Sequence, residues 1–463
     1  MRIPKSNINS VDSAPTSGTT RREFLRSAAW TAATLPAFVP SSVFGSGAPS
    51  NRLNVALIGC GSQGQRLLAS MLRMNINPVA VCDVDVRQTA RVKHELKLIR
   101  SRVYTDYRRL LQRERRLDAV VIATPDHWHM HLCRAAIEEE KHVYCEKPLA
   151  HAVGEARLLR DLARQSKVVT QMGNQGSASD VFRRSVEIIS GGAIGQVRDV
   201  HAYIPGGKFP RGIDHPQGAP GAPLGLNWDF WVGPAPAQPY QPHLHPFEWR
   251  GWYDFGSGQL GDFGCHSFNL PMRALQLTYP ERIEVSGTGF GKESYFVSGQ
   301  VRMMFPARPN FAPVTLNWYD DVNPPTGIFK EVIEFYGNVP SGVLLIGENG
   351  SIFTSPHNTE CILRLTSDKK FVPVLQHEGV KHISSGLPRV RSHQDEWVNA
   401  CRGVGQTYSH FESGGHLTEV IQAGVLALRL GRSIDWDGVR MHVPDLPAAD
   451  SLIRPTYRTR YVA

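Results

Sequence analysis

The chain has 463 residues, 41% hydrophobic and 20% charged, which is enough apolar content for a packed core and excludes disorder over most of its length. Its net charge of +9 includes +3 from residues 1–50. The remainder is too weakly basic for a nucleic-acid surface but attracts an anionic small molecule. No apolar run reaches the 18 or more residues of a membrane span, so stable membrane insertion is not expected.

The first element in chain order is a leader. Thr20-Arg21-Arg22-Glu23-Phe24-Leu25-Arg26 precedes a small, mostly apolar run from Ser27 to Val39 and a small-residue tail to Ala48. A charged start, a short apolar stretch and small residues make an export signal, and the paired arginines point to the twin-arginine (Tat) route, hence to the periplasm or the exterior. The seven cysteines, at 60, 82, 133, 145, 265, 361 and 401, form no CxxC pair. Their odd number argues for buried structural thiols and against a disulfide framework.

From Leu53 short apolar runs alternate with helical stretches. Strands are predicted at 53–58, 78–82, 118–124, 142–145 and 168–171, with helices at 63–74, 86–99, 129–140 and 152–165. Strands alternating with helices imply a parallel sheet covered on both faces. The character changes after about residue 173. Residues 205–246 hold ten of the 32 prolines and read as an ordered, loop-rich insertion. Alternating runs at 285–288, 297–305, 314–319 and 332–336 predict a mostly antiparallel second sheet, and helices follow at 393–402 and 417–430.

The first strand runs into Gly59-Cys60-Gly61-Ser62-Gln63-Gly64 and then a helix. The glycines permit a tight turn, close approach of backbone to a pyrophosphate, and close helix–strand packing; the helix N-terminus presents N–H groups to the phosphates. Asp83 stands 19 residues beyond Gly64, at the end of the next strand, where a carboxylate bonds the ribose hydroxyls of NAD. A 2′-phosphate there would meet a like charge, so NAD is expected over NADP, although Arg87 lies close enough in sequence to offset this. The strand ends Thr124-Pro125-Asp126-His127-Trp128-His129 and Cys145-Glu146-Lys147-Pro148 fall on the carboxyl edge of the sheet, where ligands bind. No metal site is expected from His127, His129 and His131, because the latter two diverge on a helix and no carboxylate or cysteine completes a set.

Together the Gly59-Cys60-Gly61 turn, Asp83, the Thr-Pro-Asp-His-Trp-His stretch and Glu146-Lys147-Pro148 resemble the glucose–fructose oxidoreductase / inositol dehydrogenase (Gfo/Idh/MocA) family. The resemblance continues at Gly261-Asp262-Phe263-Gly264-Cys265-His266, which is similar to the family's Asp-x-Gly-x-His motif. It departs from the family at Asp126, where Asn is frequent, and at Asn269, where Asp is frequent; the second difference is expected to alter the substrate pocket.

The resemblance implies an α/β fold: an N-terminal Rossmann doubly wound parallel sheet plus a C-terminal α+β domain with a large, mostly antiparallel open sheet. The expected organisation is a leader and linker at 1–50, an NAD-binding domain at 51–172, a substrate-binding and oligomerisation domain at 173–445 and a tail at 446–463. It also implies Lys147, Asp262 and His266 as the catalytic set. NAD is expected against Gly59, Gly61, Ser62, Gln63, Gly64, Asp83, Thr124, Pro125, Asp126, His127, His129, Glu146 and Lys147. Met172-Gly173-Asn174-Gln175 is similar to secreted members that include NAD-dependent α-N-acetylgalactosaminidases, which implies a cofactor contact for Asn174.

Oxidising a sugar carbinol requires a base for the hydroxyl proton, and a His near neutral pKa suits it. Asp262 and His266 are spaced i and i+4 and share one helix face; Lys147 would polarise the same oxygen, its pKa lowered by partial burial and the cofactor ring. The bland alternative is Asp262 as a helix N-cap and His266 as an ordinary helix residue. Trp228, Phe230, Trp231, Trp249, Trp252 and Tyr253 flank the Pro-rich segment, and flat rings suit the C–H face of a sugar. Trp231, Arg250, Trp252 and Tyr253 are the substrate candidates, with His245 a further hydrogen-bonding group. The expected protein is an exported NAD-dependent oxidoreductase of a carbohydrate. The alternatives are a redox-neutral NAD-dependent glycoside hydrolase and a non-catalytic ligand-binding member. An open sheet needing cover predicts a homodimer or homotetramer.

Overall fold

A computed structural model describes residues 52–461 apart from Lys208, Gln217 and Ala219; the leader expected at 1–50 lies outside the described residues. Six parallel strands form the first sheet: β1 (Asn54–Ile58), β2 (Asn77–Cys82), β3 (Arg102–Tyr104), β4 (Ala119–Ile122), β5 (His142–Cys145) and β6 (Thr170–Met172). Their order is β3-β2-β1-β4-β5-β6, with the reversal between β1 and β4. In such sheets the crevice outside that reversal is where a dinucleotide binds. Helices α1 (Ser62–Leu72), α2 (Val86–Glu95), α3 (Tyr107–Arg113), α4 (Asp126–Glu138) and α5 (Val153–Gln165) connect the strands. β1 and β4 are almost wholly apolar because both faces are covered: Val55, Ala56, Leu57, Val120 and Val121 are fully buried.

The second sheet has nine strands: β7 (Val197–Ile204), β8 (Arg282–Thr288), β9 (Ser298–Phe305), β10 (Val314–Asp320), β11 (Gly342–Gly347), β12 (Gly350–Thr354), β13 (Cys361–Leu365), β14 (Val372–Pro373) and β15 (Ile434–Asp435). Their order is β14-β13-β12-β11-β7-β10-β9-β8-β15, antiparallel throughout except for the parallel β7–β10 pair. Between β6 and β10 lie α6 (Asp180–Ser190), α7 (Trp228–Val232), α8 (Gly258–Ser267) and α9 (Asn269–Ala274). Along β9 the burial alternates residue by residue, as one covered face requires.

The segment 332–336, expected as a strand, is instead the end of helix α10 (Thr326–Tyr336). Phe329 and Val332, three residues apart, are buried on one helix face against Tyr203, Tyr319, Leu344 and Phe353 of the sheet. Gly337 at φ +81° then ends the helix in the left-handed conformation that glycine adopts freely. Apolar residues alone did not distinguish the helical period from the strand period here.

Two late helices return to the first half. In α11 (His393–Cys401), Trp397 and Val398 are fully buried among Val55, Leu57, Val121 and Tyr144. The Trp397 and Tyr144 rings meet edge to face at 5.7 Å. Truncating such a buried indole to Ala costs about 3–5 kcal/mol. In α12 (Phe411–Leu430), buried Glu419 accepts from Arg157 and Arg160 of α5, so removing either side would leave an uncompensated buried charge.

Candidate active site

The first glycines meet distinct demands. Gly59 has φ +89°, and a Cβ there would stand 2.5 Å from the Ala123 carbonyl oxygen. A Cβ on Gly64 would stand 2.0 Å from the Gly59 carbonyl oxygen, so this residue lets α1 approach β1. A Cβ on Gly61 would meet nothing within 4 Å, so this side of the backbone is open to a ligand. Asp83 is fixed at the end of β2 by the backbone N–H groups of Cys60 (2.7 Å) and Asp85 (2.9 Å). Burial raises its pKa to about 6, against the pull of those two N–H groups, so the carboxylate is ionised at neutral pH. This turn, open backbone and oriented carboxylate fit the pyrophosphate and ribose of NAD.

Arg87 does not face that position. Its guanidinium donates to Asp85 at 2.8 and 2.7 Å, and His245 Nε2 lies 3.2 Å from the same carboxylate. Burial raises the Asp85 pKa, but the bonds from Arg87 and His245 outweigh it and the pKa falls. Through His245 and the Asp85–Leu226 bridge, the Pro-rich segment is fastened to the loop after β2.

The cleft, about 440 Å³, opens between this cradle and the second half. Gly59, Gly61, Ser62, Gln63, Asp83, Thr124, Pro125, Asp126, Glu146 and Lys147 line it from the first half. Glu146 accepts from Gln63 and Gln175, both at 2.9 Å; burial raises its pKa despite these bonds. Trp231, His245, Trp249, Arg250, Asp262, His266 and His357 line the other wall.

Lys147 Nζ donates to the Asp262 backbone oxygen at 2.7 Å and to its carboxylate at 2.5 Å, while Arg250 Nε lies 3.7 Å from the same carboxylate. Burial pushes Lys147 down, but Asp262 reverses this and its pKa stands above that of an ordinary lysine. The expected lowering of the Lys147 pKa is therefore corrected: a carboxylate in contact outweighs partial burial. Burial raises Asp262, but Lys147 and Arg250 hold it below the usual carboxylate range. Asp262 is not a helix cap; it lies inside α8, one turn from His266, on the face turned to the cleft. Burial first, then Lys147 and His357, hold His266 well below the ordinary imidazole value, so its ring is neutral at neutral pH. Asp126 is buried beside this group, and burial raises its pKa to about 7 against the lowering effect of Arg250.

Other candidates stand behind the wall. His127 Nε2 lies 3.0 Å from the Trp231 carbonyl oxygen, and His129 bridges the Pro148 and Thr124 carbonyls at 2.7 and 2.9 Å. Burial lowers these two imidazoles to about 3 and about 4, leaving them neutral supports for the cleft-forming loops. His131 packs edge-on against Tyr457. Asn174 is buried beside Glu146's neighbour Gly173, and its amide atoms have no hydrogen-bond partner among the described residues. Of the substrate candidates, Trp231 and Arg250 reach the cleft and Trp252 and Tyr253 do not. Trp252 stacks on His215 at 3.8 Å, and Tyr253 packs edge-on against Tyr295 at 4.6 Å. The Trp252 ring thus packs on the Pro-rich segment, and the Tyr253 ring on the stretch leading into β9. Asn269 is also away from the cleft, accepting from Arg273 at 3.0 Å, so its departure from the family pattern does not shape the pocket wall. Sequence reasoning did not find His357 or a role for Gln175. His357 sits in a turn between two strands with no motif around it.

Comparison with known proteins agrees with this geometry. Residues 53–174 match the model described as the oxidoreductase family, NAD-binding Rossmann fold (Gfo/Idh/MocA), and residues 215–292 match the family's C-terminal alpha/beta domain. Inositol 2-dehydrogenase of Salmonella typhimurium is 28% identical over 171 residues, 35% of this chain and 50% of that protein. Levoglucosan dehydrogenase of Pseudarthrobacter phenanthrenivorans is 29% identical over 226 residues, 47% of this chain and 50% of that protein. The chain thus spans about half the length of the curated relatives it matches. The WlbA dehydrogenase of Bordetella pertussis, solved with NADH and UDP-GlcNAcA, superposes with a TM-score of 0.58 at 14% identity, covering 83% of this chain and 98% of that one; this likeness concerns the fold alone. Residues 53–174 and 215–292 are thus similar to the NAD-binding Rossmann fold and the C-terminal alpha/beta domain of the Gfo/Idh/MocA oxidoreductase family.

Proposed function

We propose that the protein is an NAD-dependent oxidoreductase that oxidises a carbinol of a sugar or sugar derivative. The observation that carries this reading is the convergence of Lys147, Asp262 and His266 on one cleft with the Asp83 cradle. The matched relatives named for inositol and levoglucosan support the substrate class. When bound, NAD supplies the hydride acceptor. The protein's own groups handle the proton and the geometry. Lys147, kept as an ammonium by Asp262, polarises the substrate oxygen, and neutral His266 takes its proton. Asp262 holds Lys147 in place, and Arg250 and Trp231 present a donor and a ring face to the sugar.

A second reading rests on residues 20–48, whose pattern directs a folded protein out of the cytoplasm. No free NAD pool is expected there. A resident cofactor would have to be restored within each cycle, as in a redox-neutral glycoside hydrolase that oxidises, eliminates, hydrates and reduces. Extensively dialysed protein given a glycoside alone distinguishes the two. Multiple turnovers without added nucleotide support the hydrolase, and accumulation of NADH with a strict need for external NAD supports the dehydrogenase. We further propose a homodimer or homotetramer joined through the outer face of the nine-stranded sheet, which α10 covers only in part; a monomer by light scattering at micromolar concentration contradicts this.

A further inference from the structure

His357 meets the reacting corner of the cleft and has no part in the reading above. It lies in the turn between β12 and β13, and among the described residues it is that hairpin's one contribution to the cleft wall. The turn is fixed on several sides. Buried Asn358, at φ +57°, donates from Nδ2 to the His266 carbonyl oxygen at 2.5 Å, and its own carbonyl accepts from Ser179 Oγ at 3.0 Å. Thr354 Oγ1 donates to Asn358 Oδ1 at 3.4 Å. Gly176 lies flat against the turn, and a Cβ there would stand 1.8 Å from the His357 carbonyl oxygen.

This mounting sets the two imidazoles 4.5 Å apart between centroids, inclined at 69°, with Phe263 as the other ring against His357. His266 is 5% exposed, and its ring nitrogens have no hydrogen-bond partner among the described residues; His357 is exposed. A proton collected by His266 has to leave before the next turnover. Lys147 is already an ammonium, and the Asp262 carboxylate is paired with Lys147 and Arg250, which makes it a poor acceptor. His357 is the remaining titratable ring against His266 that is open to water.

We propose that His357 is the proton outlet of the site, receiving through one water the proton that His266 takes from the substrate hydroxyl and releasing it to solvent. This rests on the oxidoreductase reading. The O–H electron pair stays with oxygen and becomes the second bond of the carbonyl as hydride leaves carbon for the bound nicotinamide. His266 gains the proton, and His357 and then water or buffer receive it without change in electron count.

The test compares wild type with His357→Gln and His357→Ala, loaded with NAD. Both variants should retain thermal stability and NAD affinity, because the ring is exposed and the turn is held by Asn358. Turnover should fall about tenfold or more with KM within about twofold of wild type, and added imidazole should restore it. Turnover within about twofold of wild type, a loss that imidazole does not restore, or a raised KM with unchanged kcat would each overturn the proposal. A second measurement needs no turnover: nitrogen-15 NMR of labelled histidines should show slower solvent exchange of the His266 ring N–H in His357→Gln. Unchanged exchange overturns the outlet whatever the kinetics show. Failure of wild type to oxidise any polyol would count against the oxidoreductase reading and is seen separately.

Discussion

Lys147 donates to both the backbone oxygen and the carboxylate of Asp262, at 2.7 and 2.5 Å, fastening the end of β5 to helix α8. The same carboxylate that keeps Lys147 protonated thereby holds it over the cleft, one helical turn from His266. Lys147→Ala should lower turnover by about 100-fold or more, because a charge-assisted contact to the reacting oxygen is lost. NAD affinity, measured by calorimetry, should change little. Turnover near wild type would remove Lys147 from the chemistry.

Cofactor choice should follow Asp83 and the pair beside it. Asp83→Ala should weaken NAD binding by about tenfold or more, through loss of a charged acceptor worth roughly 1.4 kcal/mol or more. Arg87 is held by Asp85 away from the cleft wall, so Asp85→Asn should improve NADP binding relative to NAD. Calorimetric titration of both nucleotides into both variants checks this.

The pH profile should be broad. In the proposed mechanism His266 is a neutral base with its pKa held below the ordinary 6.5, so kcat/KM should fall only as pH drops beneath that value and His266 becomes protonated. In the same mechanism Lys147 acts as an ammonium with its pKa above the ordinary 10.5, so the alkaline limb should lie above that value. An inflection near pH 7 would belong to Asp126 and should vanish in Asp126→Asn.

Asp126 should also mark the stability of the protein. Its folded pKa of about 7 stands above the ordinary 3.8, so between these values the unfolded chain gives up a proton that the folded chain keeps. Stability from this group is therefore present at low pH and lost as pH rises toward 7. Asp126→Asn should be more stable than wild type at neutral pH, by on the order of 1–3 kcal/mol, with the advantage shrinking toward pH 4. Denaturant titrations across that range measure it.

Gly176 tests the mounting of His357. Gly176→Ala places a methyl 1.8 Å from the His357 carbonyl oxygen, so the turn must move. A loss of about 1–3 kcal/mol in stability is expected, with reduced turnover. Unchanged stability would show that the turn is not pinned there.

The cradle was legible because its chemistry is local: Gly59, Gly61, Gly64 and Asp83 are tied to one strand–helix–strand unit, and backbone geometry dictates their spacing. The Lys147–Asp262–His266 group was legible through short motifs on two separated elements. His357 was not, because its place depends on a hairpin, Gly176 and Asn358 meeting in three dimensions. Trp252 and Tyr253 misled for a related reason: an aromatic ring suits a sugar or a packed loop equally well, and only their partners His215 and Tyr295 decide. The run at 332–336 failed because its apolar residues fit both periods. Arg87 could not be assigned from sequence either, since its use depends on which nearby carboxylate it meets.

The most direct test of the account is a single-turnover reaction of NAD-loaded, dialysed protein with a panel of polyols and sugars, followed by the absorbance of reduced nicotinamide. The account predicts rapid reduction by at least one of them in wild type and a rate about 100-fold or more slower in His266→Ala, with the same NAD content. No reduction by any member of the panel, or equal rates in the two proteins, would contradict it.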